Sequence, residues 1–519
     1  MIQLQSYLAG RWQSGTGEGV ALVNPTTEET LASASTDGLD LAAAMAHARD
    51  VGGPNLRAMS FAERAAALKA LSIAIHEHRE ELIELGVSNA GNTRGDAKFD
   101  IDGATATLSS YAYFAKSLPD LPFLVDGDTI QLSRTPRFMG QHVRIPRLGV
   151  AVHINAFNFP AWGMMEKAAC ALLAGLPVLE KPGTPTAMMA ERIGRIIVDS
   201  GILPEGAFSL LVGRAGDLLE HVTAQDCVAF TGSSATARHL RGQAAFVEQG
   251  ARLNVEADSL NAAVLGPDLT DDDSGFDLFL REMVREITQK AGQKCTAVRR
   301  IMVPQDSIEW VCEALAEGLS AIKVGDPALR ESRMGPLTNE AQFQSVVEGL
   351  GQLSNATSVV TGGPDRIRDK GAFLAPTLLL ASDAANPTLH RDEVFGPVAT
   401  VIPYSGDAEE AAALVALGQG GLVTSAFSDD KAFARTFALA VAPWSGRVYL
   451  GNSKVADHAT GHGLVLPSMV HGGPGRAGGG EELGGLRGLD FYTQRTAIQG
   501  FRALIDAEFA APSEAAAEA

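Results

Sequence analysis

Polar and apolar positions along the chain switch repeatedly between two periods. Residues 60–85 (SFAERAAALKALSIAIHEHREELIEL) set apolar side chains three and four apart with charges opposite, which predicts a long amphipathic helix. Within 144–157 (RIPRLGVAVHINAF) a short apolar run predicts a strand, and MMEKAACALLAG (164–175) predicts a helix stopped by Gly175. PVLEKP (177–182) reads as a short buried strand and 184–200 as a helix. GAFSLLVG (206–213) and CVAFTGSS (227–234) continue the series, with a helix between them. Repeated strand–helix alternation predicts a parallel sheet covered by helices.

A second set follows. After RLNVEADSLNAAVL (252–265) comes an amphipathic helix whose Phe276, Phe279, Leu280, Met283, Val284 and Ile287 share one face. VRRIMVP (298–304) is strand-like, and α/β alternation runs on to about residue 450. The pattern predicts two α/β halves meeting near residue 255. Residues 123–149 are polar and β-prone and do not fit the alternation, so an excursion hairpin used in assembly is expected. HGGPGRAGGGEELGGLRG (471–488) is mostly glycine with charges and is expected to be irregular. The tail EFAAPSEAAAEA is expected to fray.

With 519 residues and 46% hydrophobic content, the chain has material for two or three domains with large cores. Aromatics are few at 6% and glycines number 55, which favours tight turns and close helix–sheet packing. A formal net charge of −19 argues against nucleic-acid or anionic-membrane partners. The four cysteines, Cys170, Cys227, Cys295 and Cys312, contain no CxxC. No disulfide frame or metal site is implied, and a reducing cytoplasm is expected. The first residues, MIQLQSYLAGRW, lack a basic stretch followed by an apolar one, so no signal peptide is expected. The longest apolar run (168–179) is too short to span a bilayer, and a soluble protein is expected.

Candidate chemistry concentrates at strand ends. Three cysteines sit in apolar contexts and read as inert filler. Cys295, in GQKCTAVRR (292–300), has Gly, Gln, Lys and Thr as neighbours, a setting expected to lower a thiol pKa and expose the sulfur. Glu256, in VEAD (255–258), ends a strand and suits a general base. Asn158, in NAFNFPAW (155–162), can donate its amide to a developing oxyanion. LEKPGTPTA (179–187) and FTGSSATA (230–237) both read as strand, loop and helix N-terminus, places that hold phosphates and ribose. Neither is GxGxxG.

Taken together and in this order, these segments resemble the aldehyde dehydrogenase superfamily over essentially the whole chain. YLAGRW is similar to its N-terminal strand motif, FNFP to the oxyanion-asparagine motif and EKP to the cofactor lysine. FTGS is similar to the cofactor loop, VEAD to the general-base glutamate, GQKC to the nucleophile and EVFGP (393–397) to the ribose-binding stretch. The resemblance implies that fold: a Rossmann-like cofactor domain (1–122 and 150–255), a catalytic domain (256–465) and a small β oligomerisation arm (123–149 and 489–507). A Gly-rich substrate-side loop (466–488) and the tail (508–519) complete it. It implies Cys295 as nucleophile, Asn158 and the Cys295 N–H as oxyanion donors, and Glu256 as the base that activates water. Lys167 and Glu482, in EELGG, match positions of proton traffic, and Lys181, Gly232, Ser233, Glu393 and Phe395 match cofactor contacts. A homodimer, or a tetramer of two dimers, is implied as well.

Two departures matter. Three residues after the cofactor lysine, where relatives that prefer NAD often carry an acid, stands Thr184. A carboxylate would repel a 2′-phosphate whereas a hydroxyl can bond it, so NADP is the expected cofactor, with NAD also possible. In the FTGS loop, Ala235 and Ala237 replace the usual Glu and Gly, which bears on where the pyrophosphate sits. The segments 466–500 and 94–103 further resemble ring-cleavage semialdehyde dehydrogenases that act on CoA thioesters. Of those, the stand-alone kind without a hydratase domain is expected, since the chain runs out at 519. His471 or Arg476 is then expected to meet a phosphate or carbonyl of CoA. Competing readings are transfer of the acyl group to free CoA, a cofactor-free cysteine hydrolase, and a catalytically silent binding protein. Glu256 argues against the first, EVFGP and EKP against the second, and the intact Cys295, Asn158 and Glu256 against the third.

Overall fold

The computed structural model describes residues 2–510; the part of the tail from 511 onward, expected to fray, lies outside them. Two seven-stranded sheets organise the chain. In the first, neighbours run Arg252–Glu256, Cys227–Thr231, Ala151–Ile154, Val178–Lys181, Phe208–Leu210, Ser6–Leu8 and Arg11–Gln13. The first five pair in parallel, and the N-terminal hairpin adds the other two antiparallel. The chain enters this parallel set at Ala151–Ile154, steps outward on one side, then crosses to the other. That reversal opens a crevice at the C-terminal ends of Ala151–Ile154 and Cys227–Thr231, where open α/β sheets take their ligands.

The second sheet runs Thr357–Thr361, Thr377–Ala381, Val398–Tyr404, Arg300–Pro304, Ala262–Leu265, Gly421–Phe427 and Ser445–Gly451. Only its first strand is antiparallel. Its core divides into a cluster on each side, one of them carrying the shared face of the helix Ser274–Thr288 through Phe276, Phe279, Met283 and Ile287. The fold is α/β with two helix-covered, mostly parallel sheets, as the alternation predicts.

Three segments depart from their sequence patterns. The helix expected over 60–85 is two, Phe61–Glu77 and Arg79–Ala90, hinged at His78. No glycine or proline marks the hinge. Arg79 forms a paired contact of 2.6 Å to each oxygen of Asp102, which ties the start of the second helix to the helix Arg94–Phe114. The Gly-rich stretch is not wholly irregular: Val470–Gly472 and Glu481–Leu483 pair as an antiparallel ribbon, with His471 opposite Glu482. Residues 123–149 do form a hairpin, Leu124–Gln131 and Phe138–Pro146, and Thr493–Phe501 adds a third strand to it.

The helix Trp162–Ala174 has every residue buried except Gly163. A helix enclosed on all sides is ordinarily apolar all round. Glu166 and Lys167 break that rule, and both face the site described next.

Candidate active site

Backbone strain and one arginine build the loop that carries Cys295. The chain passes through Lys290, Ala291 and Gly292 at φ +54°, +52° and +68°. Each non-glycine residue held left-handed costs about 1–2 kcal/mol, so the surroundings must impose it. Arg299 donates to the carbonyls of Gly292, Lys294 and Gly396. A Cβ on Gly292 would lie 2.1 Å from Gly396 O, so this approach requires glycine. Asn261 then donates to Cys295 O at 2.7 Å and to Ala297 O at 2.9 Å, fixing the backbone on either side of Thr296.

The lysine next to the thiol does not supply the basic setting expected for it. Lys294 is buried, with its ammonium 2.8 Å from Glu286 and 2.9 Å from Gln289. Burial and the Glu256 carboxylate push the Cys295 thiol well above its ordinary value, the reverse of the expectation. Cys170, Cys227 and Cys312 are buried, in keeping with filler.

Glu256 closes its strand and accepts from Thr231 Oγ1 at 3.3 Å. Burial raises its carboxyl, but His471 and Lys167 outweigh burial and hold it well below the usual carboxylate range. Asn158 is buried on the loop after Ala151–Ile154. Lys167 Nζ lies 3.0 Å from Glu482 Oε2 and 3.2 Å from Glu166 Oε1, and Asn254 donates to Glu482 Oε1 at 3.1 Å. Carboxylate oxygens of Glu166, Glu256 and Glu482 all lie within 4.8 Å of one another. Burial raises Glu166 to about 7.

Two cavities meet at Cys295. One is a narrow tunnel of about 40 Å³, walled by Phe99, Phe159, Trp162 and Val465 and ending on Asn158, Glu256 and Cys295. The three rings of Phe99, Phe159 and Trp162 stack edge to face at 5.2–6.1 Å. The other is a cleft of about 470 Å³ at the sheet crevice, lined by Phe157, Gly183, Gly232, Ser233, Glu393 and Phe395. Lys181 and Thr184 stand on either side of Gly183, at the end of Val178–Lys181 and in the turn after it.

This cleft fits a nicotinamide dinucleotide. Burial lowers the Lys181 ammonium to about 8, and its hydrogen-bond partner is the Pro182 carbonyl, so it retains capacity for an anion. Thr184 Oγ1 donates its one hydrogen to Gly213 O at 3.0 Å, so the bond to a 2′-phosphate expected of it is not available in this arrangement; the exposed Arg214 next to Gly213 is the free donor nearby. Ser233 caps the helix Ser234–Arg241 by accepting from Thr236 N, while Asp258 takes the Ser234 N–H at 3.0 Å. Two of that helix's free N-terminal donors are therefore already spent. Glu393 is bonded by Ser259 N and Arg299, and burial raises it to about 7.

The structure thus gathers Cys295, Glu256, Asn158, Lys167 and Glu482 at one point, and Gly232, Ser233, Glu393 and Phe395 along one cleft. It does not put His471 or Arg476 where CoA phosphates would reach them. His471 is 3% exposed and faces Cys295 and Glu256. Arg476 lines neither cavity and donates to Arg391 O. Sequence reading missed Glu166, Arg214 and the tunnel residues Phe99 and Trp162. Glu166 left a signal, a second charge on a helix otherwise apolar all round; the others left none.

Residues 12–498 match the profile described as the aldehyde dehydrogenase family, and the chain belongs to that family, a class of NAD(P)-dependent oxidoreductases. Among curated proteins it is 45% identical over 480 residues to 3,4-dehydroadipyl-CoA semialdehyde dehydrogenase of Aromatoleum evansii, covering 91% of this chain and 93% of that one. It is 27% identical to succinate-semialdehyde dehydrogenase (NADP(+)) of Escherichia coli, covering 79% and 82%. Among solved structures, the NAD+ complex of an aldehyde dehydrogenase from Bacillus cereus superposes with a TM-score of 0.84 at 24% identity, covering 96% of each chain, and so supports the fold.

Proposed function

We propose that the protein oxidises a CoA-thioester-linked semialdehyde, 3,4-dehydroadipyl-CoA semialdehyde or a close analogue, to the free carboxylic acid with NADP. Such a reaction serves aerobic degradation of aromatic rings through benzoyl-CoA. The observation that carries the reading is the meeting of two cavities at Cys295, one apolar and narrow, the other polar and wide. An aldehyde arm reaches the sulfur from the tunnel, and a nicotinamide reaches it from the cleft. The 45% identity to the Aromatoleum protein supports the substrate class.

The residues divide the work as follows. Cys295 thiolate attacks the aldehyde carbon to form a thiohemiacetal. Asn158 Nδ2 and the Cys295 backbone N–H donate to its oxyanion. The nicotinamide, when bound, supplies the hydride acceptor. Loss of hydride leaves a thioester on Cys295. Glu256 takes a proton from water, the resulting hydroxide attacks the thioester carbon, and the acid leaves as the thiol is restored. Glu482, Lys167 and Glu166 offer that proton a buried route away from Glu256. Beyond Gly183 at the edge of the cleft, the Lys181 ammonium and the Arg214 guanidinium supply the donors for the 2′-phosphate. Assembly is through the three-stranded arm, as a homodimer or as two such dimers.

The test is absorbance of reduced nicotinamide with a CoA-linked six-carbon semialdehyde, with NADP and then NAD, with and without free CoA. A rise with NADP that needs no free CoA is expected. A rise only when free CoA is present would assign acyl transfer and remove the base role of Glu256.

A further inference from the structure

The Gly-rich ribbon carries two ionisable side chains into the site, and the scheme above uses only Glu482. The other, His471, lies opposite it in the ribbon's register. Its Nε2 stands 3.9 Å from Cys295 Sγ and 3.3 Å from Glu256 Oε1. Its Nδ1 is buried without a hydrogen-bond partner among the described residues. A single nitrogen therefore faces both a thiol and a carboxylate, in a pocket the histidine barely shares with solvent.

The nucleophile has to be a thiolate. Beside Glu256 that means two anions in a dry site, which is costly without a cation between them. Lys294 does not serve, being engaged by Glu286. The charged groups around His471 are Glu256 on its strand, Glu166 on the enclosed helix, and Arg447 on the strand Ser445–Gly451; Lys167 and Glu482 lie just beyond. Burial and Arg447 oppose an imidazolium there, and Glu256 and Glu166 favour it, with the balance toward the cation.

We propose that His471 is the base that takes the Cys295 proton as the sulfur attacks, so that the nucleophile is a thiolate paired with an imidazolium braced by Glu256. The S–H bond breaks, its electron pair stays on sulfur, and the proton passes to Nε2. The new Nε2–H then donates to the Glu256 carboxylate. Starting from the neutral imidazole, the only form that can take the proton, the three groups carry a net charge of minus one before and after, so no further reactant is required. The 176-residue separation of the pair explains why no cysteine–histidine signature shows locally. The proposal rests on Cys295 being the nucleophile.

The experiment is the rate of alkylation by iodoacetamide from about pH 5 to 10, without substrate or cofactor, with the label mapped by peptide mass. Wild type is expected to label at Cys295 with a rate already substantial near neutral pH. His471→Gln keeps a donor where Nε2 stands but no base; its rate near neutral pH is expected to fall about 100-fold and to recover only at alkaline pH. His471→Ala with added imidazole should regain part of the neutral rate, which also covers the case in which His471→Gln folds poorly. An unchanged pH profile in a folded His471→Gln, or no rescue by imidazole, overturns the proposal. Labelling of wild type at another cysteine overturns instead the assignment of Cys295 itself.

Discussion

At the scale of single residues, the cofactor lysine gives the sharpest pH signature. Burial lowers Lys181 to about 8, so in the free enzyme it holds its proton below that pH and loses it above. A 2′-phosphate beside the ammonium raises the value again. Binding NADP above about pH 8 must then take up a proton, and affinity falls by up to about tenfold per pH unit until the bound-state value is reached. The Kd for NADP is thus expected to be flat to about pH 7 and to climb through pH 9, while that for NAD, which lacks the phosphate, changes less. Fluorescence titration of both cofactors checks this; parallel curves would separate Lys181 from the phosphate. Cys295 shows how far single residues could be read. Its position in GQKC was legible, but its electrostatics were not. Lys294 adjoins it in sequence yet is claimed by Glu286, whereas the groups that do face the sulfur, Glu256 and His471, come from 39 residues before and 176 after.

At the scale of elements, the strand–helix alternation named the parallel strands of the first sheet and Arg300–Pro304 of the second, because period and apolar content are local properties, and it left the second sheet's later strands as an alternation without bounds. It failed for the ribbon Val470–Gly472 and Glu481–Leu483, since glycine has no side chain to show a period. What places the ribbon is close packing that only glycine permits. A Cβ on Gly446 would lie 1.7 Å from Gly472 O, one residue from His471. Gly446→Ala must push the ribbon off the strand Ser445–Gly451. Overpacking of this kind costs about 1–3 kcal/mol, which a chain of this size survives. Displacing an active-site side chain by about 1 Å costs up to ~100-fold in rate. The variant is therefore expected to fold, with a modestly lower Tm, and to lose far more kcat/KM than stability. Equal, small losses in both would show that the ribbon's seat does not position the site.

At the scale of the whole molecule, the sequence marked residues 123–149 as foreign to the alternation, and the arm they form leaves apolar side chains uncovered. The arm of Leu124–Gln131, Phe138–Pro146 and Thr493–Phe501 has little core of its own: within its last strand only Thr493 is buried. Ile130, Phe138, Ile145 and Phe501 are each more than 40% exposed there. Three strands with this little cover are marginal, and an exposed edge bearing apolar side chains invites pairing with another chain. The proposed homodimer would cover these side chains with a second copy, and closed two-fold contacts are the commonest way to do so. Charging that face should therefore dissociate the assembly and leave each chain folded, because the two large sheets have their own cores. Ile130→Glu combined with Phe501→Glu, which share the face of Phe138, is expected to shift the light-scattering mass to that of one chain at micromolar concentration, with the far-ultraviolet circular dichroism unchanged. If the mass stays that of the wild-type assembly, contact runs through another surface, and the exposed Leu439, Trp444 and Leu450 beside the edge strand Ser445–Gly451 become the face to charge next.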